Sequence, residues 1–149
     1  MFGVELVVRE HDDHVIVVLR GELDMADAAC VTDALTAAAA GRRKTVVDLA
    51  DLAFIDCTGA VALARAQRRV RRAGGSLLLA APQTRVRRVF VLSRLIEEVS
   101  LYPSVEQATG SAKSSARLRC RVRSSARCRR EVDLSGGEGQ ASRLRRSRG

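Results

Sequence analysis

The spacing of hydrophobic and polar positions changes period several times along the chain. Val4 to Arg9 alternates as a strand, His11-Asp12-Asp13-His14 is a polar turn, and Val15-Ile16-Val17-Val18-Leu19 is an unbroken apolar run. Together they predict a hairpin whose second strand is buried on both faces. The chain leaves it through Gly21-Glu22-Leu23-Asp24. Apolar residues then recur at helical spacing, at Ala28, Val31, Leu35, Ala38 and Ala39, and predict a helix from Met25 to Ala40. Asp24 is placed to cap it, with Asp27 adding negative charge to its first turn. Gly41 stops it, and Arg42-Arg43-Lys44 are placed to face its negative end.

A further strand run begins at Thr45-Val46-Val47-Asp48-Leu49, passes through a loop at Asp51, and continues as Leu52-Ala53-Phe54-Ile55 into Asp56-Cys57-Thr58-Gly59. The helix that comes next carries Ala62, Leu63, Ala66, Val70 and Ala73 on one face and Arg65, Arg68, Arg69 and Arg72 largely on the other, and Gly74-Gly75 ends it. Ser76 to Ala80 reads as a buried strand. Pro82 starts a turn, Thr84 caps a short helix with Val86, Val89 and Phe90 inward, and Val99 to Tyr102 reads as an edge strand. Ser104 and Gln107 have the spacing of a capping box before a last short helix. The order β-β-α-β-α-β-α-β-α predicts an α/β fold: one domain over residues 1–110, a mixed sheet of about five strands packed with about four helices.

Charge separates this domain from the remainder of the chain. Residues 1–110 hold 14 basic and 14 acidic side chains, whereas residues 111–149 hold 12 and 3, so the whole net charge of +9 lies in the tail. Ser, Arg and Gly dominate there without an aromatic residue, and 111–149 is read as disordered. Within it, Arg117-Leu118-Arg119-Cys120-Arg121-Val122-Arg123 alternates like a strand but has no evident partner in the sequence. A basic tail favours polyanions through counterion release, but it lacks aromatics for base stacking and any groove-reading motif, so no specific nucleic acid is expected.

Cys30, Cys57, Cys120 and Cys128 form no C-x-x-C and no cluster with His11 or His14. Neither a metal site nor a disulfide framework is predicted, and the cysteines read as thiols of a reducing compartment. The start of the chain lacks a basic segment followed by a long apolar one, and no apolar stretch approaches the ~20 residues that span a bilayer. The expectation is a cytoplasmic, soluble protein.

The candidate chemistry lies at Asp56-Cys57-Thr58-Gly59. A hydroxyl at a strand-to-helix corner sits at the positive end of a helix dipole, a position that suits an anionic group, including a phosphate carried by the hydroxyl itself. Thr58 is therefore a candidate switch residue. Capping explains Asp24, Asp56 and Thr58 equally well. Cys57 reads as a small, partly buried residue, and the arginine face as a solvated helix face or a dock for an acidic partner. No nucleophile–base pair with a third orienting group is evident, so no enzymatic activity and no cofactor are predicted.

Three features together resemble a STAS domain of the anti-sigma factor antagonist kind: Gly21-Glu22-Leu23-Asp24 after the second strand; Val46-Val47-Asp48-Leu49 followed by Phe54-Ile55-Asp56-Cys57-Thr58-Gly59; and Gly74-Gly75-Ser76-Leu77, then Pro82 and a helix with Val86, Val89 and Phe90. The likeness covers residues 4–109. The family's usual corner is Asp-Ser-Ser-Gly or Asp-Ser-Thr-Gly, and its second hydroxyl residue is the one phosphorylated. The resemblance implies that role for Thr58, with Asp24, Asp56, Cys57 and Gly59 as its surroundings and partner-binding surface. Cys57 stands where the family has its first hydroxyl, and Gly59-Ala60-Val61 where it often has Gly-Leu-Gly. The resemblance further implies a phosphorylation-switched regulator of transcription. Its partner would be an anti-sigma factor that is itself an ATP-using serine/threonine kinase, its docking would release a sigma factor, and a phosphatase would reset it. The alternative is a constitutive STAS scaffold subunit of a lipid-transport or sensory complex, with Thr58 only a helix cap.

Overall fold

A computed structural model of the chain describes residues 3–110 and the backbone of 117–123. The hairpin forms as expected: β1 (Val4–Glu10) pairs antiparallel with β2 (Val15–Leu23), Leu6 opposite Leu19. Helix α1 spans Met25–Ala39, β3 Lys44–Asp48, β4 Leu52–Ile55, α2 Cys57–Arg72 and β5 Ser76–Ala80. Then come α3 (Thr84–Leu92), β6 (Leu101–Tyr102), α4 (Val105–Thr109) and β7 (Arg117–Arg123). The sheet order is β6-β5-β3-β2-β1-β7, with β4 also on β2. All pairs are parallel except β1 with β2 and β1 with β7.

The mixed α/β architecture with four helices matches the sequence pattern, and two strands go beyond it. The run Leu52-Ala53-Phe54-Ile55 is a strand of its own. β2 is long enough to serve two neighbours, Val15–Val18 pairing with β3 and Gly21–Leu23 with β4. Gly21 marks the change of partner. Its φ is +95°, and a Cβ there would lie 2.3 Å from the Gly3 carbonyl oxygen, so only glycine fits. The second addition lies in the tail. Arg117–Arg123, which has no evident partner in the sequence and falls in the stretch read as disordered, lies antiparallel to β1. The rest of that tail, 111–116 and 124–149, lies outside the described residues.

The core divides between the two faces of the sheet. On one face α1, α2 and α3 cover Val17, Leu19, Val47 and Leu79 with Val31, Leu35, Leu63, Val70, Val86 and Phe90, all buried. On the other, α4 covers Val46 and Ala80 with Ala108, and Ile16 packs beside them. β2 is thus apolar on both sides, as its unbroken run predicts.

Several local expectations are corrected. Arg42 does not cap α1 but pairs with Glu10, and Lys44 belongs to β3, its Nζ donating to the Thr109 carbonyl at 3.2 Å. Ala73 is exposed rather than part of the buried face of α2. Gln83, not Thr84, is the N-cap of α3, and its side chain donates instead to the Ala50 carbonyl at 2.8 Å, tying α3 to the β3–β4 turn. Ser104 does cap α4, accepting from the Gln107 N–H at 3.2 Å.

Candidate functional site

The site follows from register. Leu23 at the end of β2 lies opposite Ile55 at the end of β4. The next residues, Asp24 and Asp56, therefore leave the sheet at the same level, and each is the N-cap of the helix it precedes. Two parallel strands thus deliver two helix N-termini to one place. Asp24 Oδ1 accepts from the Ala26 N–H at 2.9 Å. Asp56 Oδ1 accepts from the Gly59 N–H at 2.7 Å, and its Oδ2 reaches across to the Met25 N–H at 3.2 Å. The positive ends of both helix dipoles converge on these carboxylates.

Thr58 is the second residue of α2. It is exposed, and its hydroxyl has no hydrogen-bond partner among the described residues. Capping is therefore the work of Asp24 and Asp56, and the side chain of Thr58 is left free. Cys57 is likewise exposed, not partly buried as its small size suggested, and its thiol is free, accepting from the Ser93 hydroxyl at 3.6 Å. That contact brings the end of α3 against the start of α2. Gly59 is buried beneath Thr58. A Cβ on it would meet the Leu23 carbonyl oxygen at 2.7 Å and the Leu23 and Ile55 side chains at 2.9 Å, so α2 approaches β2 as closely as it does only with glycine here. The four residues expected around Thr58 (Asp24, Asp56, Cys57 and Gly59) are thus brought together.

The sequence pattern did not single out the apolar surface at this corner. Met25 is 75% exposed, Phe54 49%, Val61 38% and Leu92 76%. Met25 donates to Asp56, Phe54 precedes it by two residues, Val61 lies one turn beyond Thr58, and Leu92 adjoins Ser93. In the sequence Phe54 is part of an apolar run, and Met25, Val61 and Leu92 fall outside the helix faces read as buried. Exposed large apolar side chains are the residue type from which interaction surfaces are built.

Elsewhere the expected features divide. The arginine face of α2 is partly neutralised within the domain, Arg68 pairing with Glu98 at 3.2 Å and Arg69 with Asp33 at 3.1 Å. Cys30 is disulfide-bonded, which corrects the reading of all four cysteines as thiols; the side chain it joins is not among those described. His11 and His14 stack on one another in the β1–β2 turn. Among the described residues no group of three or more His, Cys, Asp or Glu is placed to hold a metal ion, and no helix is long and apolar enough to cross a membrane.

Fold and corner define a class: an α/β domain in which two parallel strands launch two helices side by side and present one free hydroxyl next to two carboxylate caps. The chain belongs to the STAS domain family, which matches residues 5–108. It is 30% identical over 109 residues to the anti-sigma-F factor antagonist RsfA of Mycobacterium tuberculosis, spanning 71% of this chain and 85% of RsfA. An anti-sigma factor antagonist from Mycobacterium paratuberculosis has a similar structure, with a TM-score of 0.63, 27% identity, and coverage of 70% of this chain and 90% of that one. SpoIIAA of Bacillus in its unphosphorylated form shares the fold, with a TM-score of 0.56 at 20% identity and coverage of 72% and 99%.

Proposed function

We propose that this protein is an anti-sigma factor antagonist, a binding module rather than an enzyme, whose docking is switched by phosphate on Thr58. The observation that carries the reading is the exposed Thr58 hydroxyl, without a hydrogen-bond partner among the described residues, in the first turn of α2 where Asp56 links the starts of α1 and α2, with Met25, Phe54, Val61 and Leu92 exposed on the elements that meet there. The names of its relatives support the same reading, and SpoIIAA is a relative known in a phosphorylated form.

With Thr58 unmodified, the exposed apolar side chains and the Asp24–Asp56 corner dock on an anti-sigma factor in the cytoplasm and free its sigma factor for transcription. The partner is a serine/threonine kinase. It moves the γ-phosphoryl of its own ATP to Thr58 Oγ1, which loses its proton, and ADP departs. The product carries ≈ −1.5 to −2 new charges beside Asp24 and Asp56. A partner surface matched to the neutral hydroxyl then faces concentrated negative charge and an unfilled contact, while the helix dipole of α2 keeps the phosphate tolerable to the fold. A phosphatase removes the phosphate and restores docking.

The test is incubation of the chain with ATP and the anti-sigma-F factor of M. tuberculosis, with peptide mass spectrometry and binding measured on the same samples. One phosphate on Thr58 is expected. Thr58→Glu is expected to bind about 100-fold more weakly, equivalent to ~3 kcal/mol. Thr58→Ala should bind whether or not ATP is present. Binding of Thr58→Glu at the affinity of the unmodified protein would overturn the switch and leave a constitutive STAS scaffold.

A further inference from the structure

The carboxylate of Asp56 serves two helices. Oδ1 accepts from Gly59 in the first turn of α2 at 2.7 Å, and Oδ2 accepts from Met25, the first residue of α1, at 3.2 Å. The Ala26 N–H is taken by Asp24. Asp56 is therefore the side chain that holds the Met25 amide, and it does so from the same carboxylate that caps the helix carrying Thr58. Met25 is also among the two most exposed apolar side chains of the site.

We infer that Asp56 is a positioning residue that ties the charge on Thr58 to the first turn of α1. The inference rests on the switch reading and adds to it a path by which phosphate changes the shape of the docking surface. A phosphate on Thr58 Oγ1 places a second anion within the first turn of α2. It competes with Asp56 for the N–H donors of that turn and repels its carboxylate. Asp56 cannot swing away from Gly59 and keep Met25 as well, because both bonds come from one rigid, planar group. The Met25 N–H loses its acceptor, the first turn of α1 frays, and the Met25 side chain leaves the place the partner fits. The switch then alters contact on α1 as well as charge on α2.

Side-chain chemistry supplies the test. A carboxylate has two acceptor oxygens and a carboxamide one, so Asp56→Asn caps α2 through its remaining oxygen and leaves Met25 without an acceptor. Amide hydrogen exchange is followed by NMR in the 149-residue chain for the wild type, Thr58→Glu, Thr58→Gln, Asp56→Asn and the Asp56→Asn/Thr58→Glu pair. Thr58→Glu is expected to speed exchange at Met25 about tenfold, the factor carried by one charge-assisted hydrogen bond. Thr58→Gln, of the same size without the charge, leaves Met25 as in the wild type. In the Asp56→Asn background Met25 exchanges fast already, and Thr58→Glu adds nothing. Leu77 and Leu79 in β5 stay protected throughout. A purely structural cap predicts additive effects instead. Equal Met25 exchange in the wild type and Thr58→Glu overturns the inference, as does additivity in the pair. The comparison of Thr58→Glu with Thr58→Gln decides the matter even if Asp56→Asn fails to fold. The measurement needs no partner. Coupling seen here with no phosphate taken up on Thr58 overturns the switch reading alone, and phosphate uptake with Met25 unmoved overturns the coupling alone.

Discussion

Gly59 shows how little room the corner leaves. Its missing side chain would lie 2.7 Å from a backbone carbonyl, that of Leu23, and 2.9 Å from two buried side chains of the core. None of these is the loose end of a flexible chain. The same Leu23 carbonyl accepts the Asp56 N–H at 3.2 Å, so a shift that relieved the clash would also pull on the cap. Alanine is the better helix former by about 1 kcal/mol, and on propensity alone Gly59→Ala stabilises α2. Overpacking a close helix–strand contact costs about 1–3 kcal/mol, and it dominates here. Gly59→Ala is therefore expected to lower the denaturant midpoint and to weaken partner binding together. An unchanged midpoint would show that α2 has slack against β2. The neighbouring Thr58 has the opposite character: it is exposed and unbonded, so its substitutions should change binding while leaving the midpoint almost unmoved.

The elements that could be read from the sequence are those fixed by local chemistry. Asp24 and Asp56 each precede an apolar-periodic run, and both are caps, because capping involves only the next three residues. β4 was not separated from β3 because its four residues are all apolar and continue the β3 run after only a short loop, so nothing local shows that it pairs with β2 on its own. β7 was hidden because its partner, β1, lies over a hundred residues earlier. The convergence of Asp24 with Asp56 depends on the β2–β4 register, which no local pattern carries. The hairpin turn supplies a testable property of its own. His11 and His14 stack with centroids 4.3 Å apart. Desolvation first, then the proximity of His14, holds the pKa of His11 below 6.5; Arg9 adds to this, while Asp13 and Asp12 oppose it. The fold thus favours neutral His11. Its contribution to stability is complete above about pH 6.5 and is lost as pH falls through the lowered folded value. Asp13 is held below 3.8, chiefly by its hydrogen bond from His14, so its contribution is lost only in stronger acid. The melting temperature is expected to fall between pH 7 and 5, and His11→Gln to flatten that fall. An equal slope in His11→Gln would assign it to another group.

For the molecule as a whole, the edges of the sheet matter most. One edge is β6, two residues long and followed at once by Pro103, too short to recruit another strand. The other would be β1, seven residues long, were it not paired with β7. A chain ending at Gly110 leaves that edge open and also removes the entire +9 charge, since residues 1–110 are neutral. Both changes favour self-association, and a second truncation separates them. A chain ending at Arg123 keeps β7 and, with 19 basic and 14 acidic residues, a net charge of +5. Sedimentation velocity and thermal unfolding should show the Gly110 chain associating and melting below the 149-residue chain, with the Arg123 chain close to the latter. Salt then decides the cause. If repulsion alone keeps the molecules apart, all three chains associate once salt screens the charge. If edge protection by β7 keeps them apart, the two longer chains stay monomeric in high salt and only the Gly110 chain assembles. A Gly110 chain that remains monomeric and melts with the 149-residue chain would show that β1 needs no cover and that β7 adds nothing to the stability of the domain.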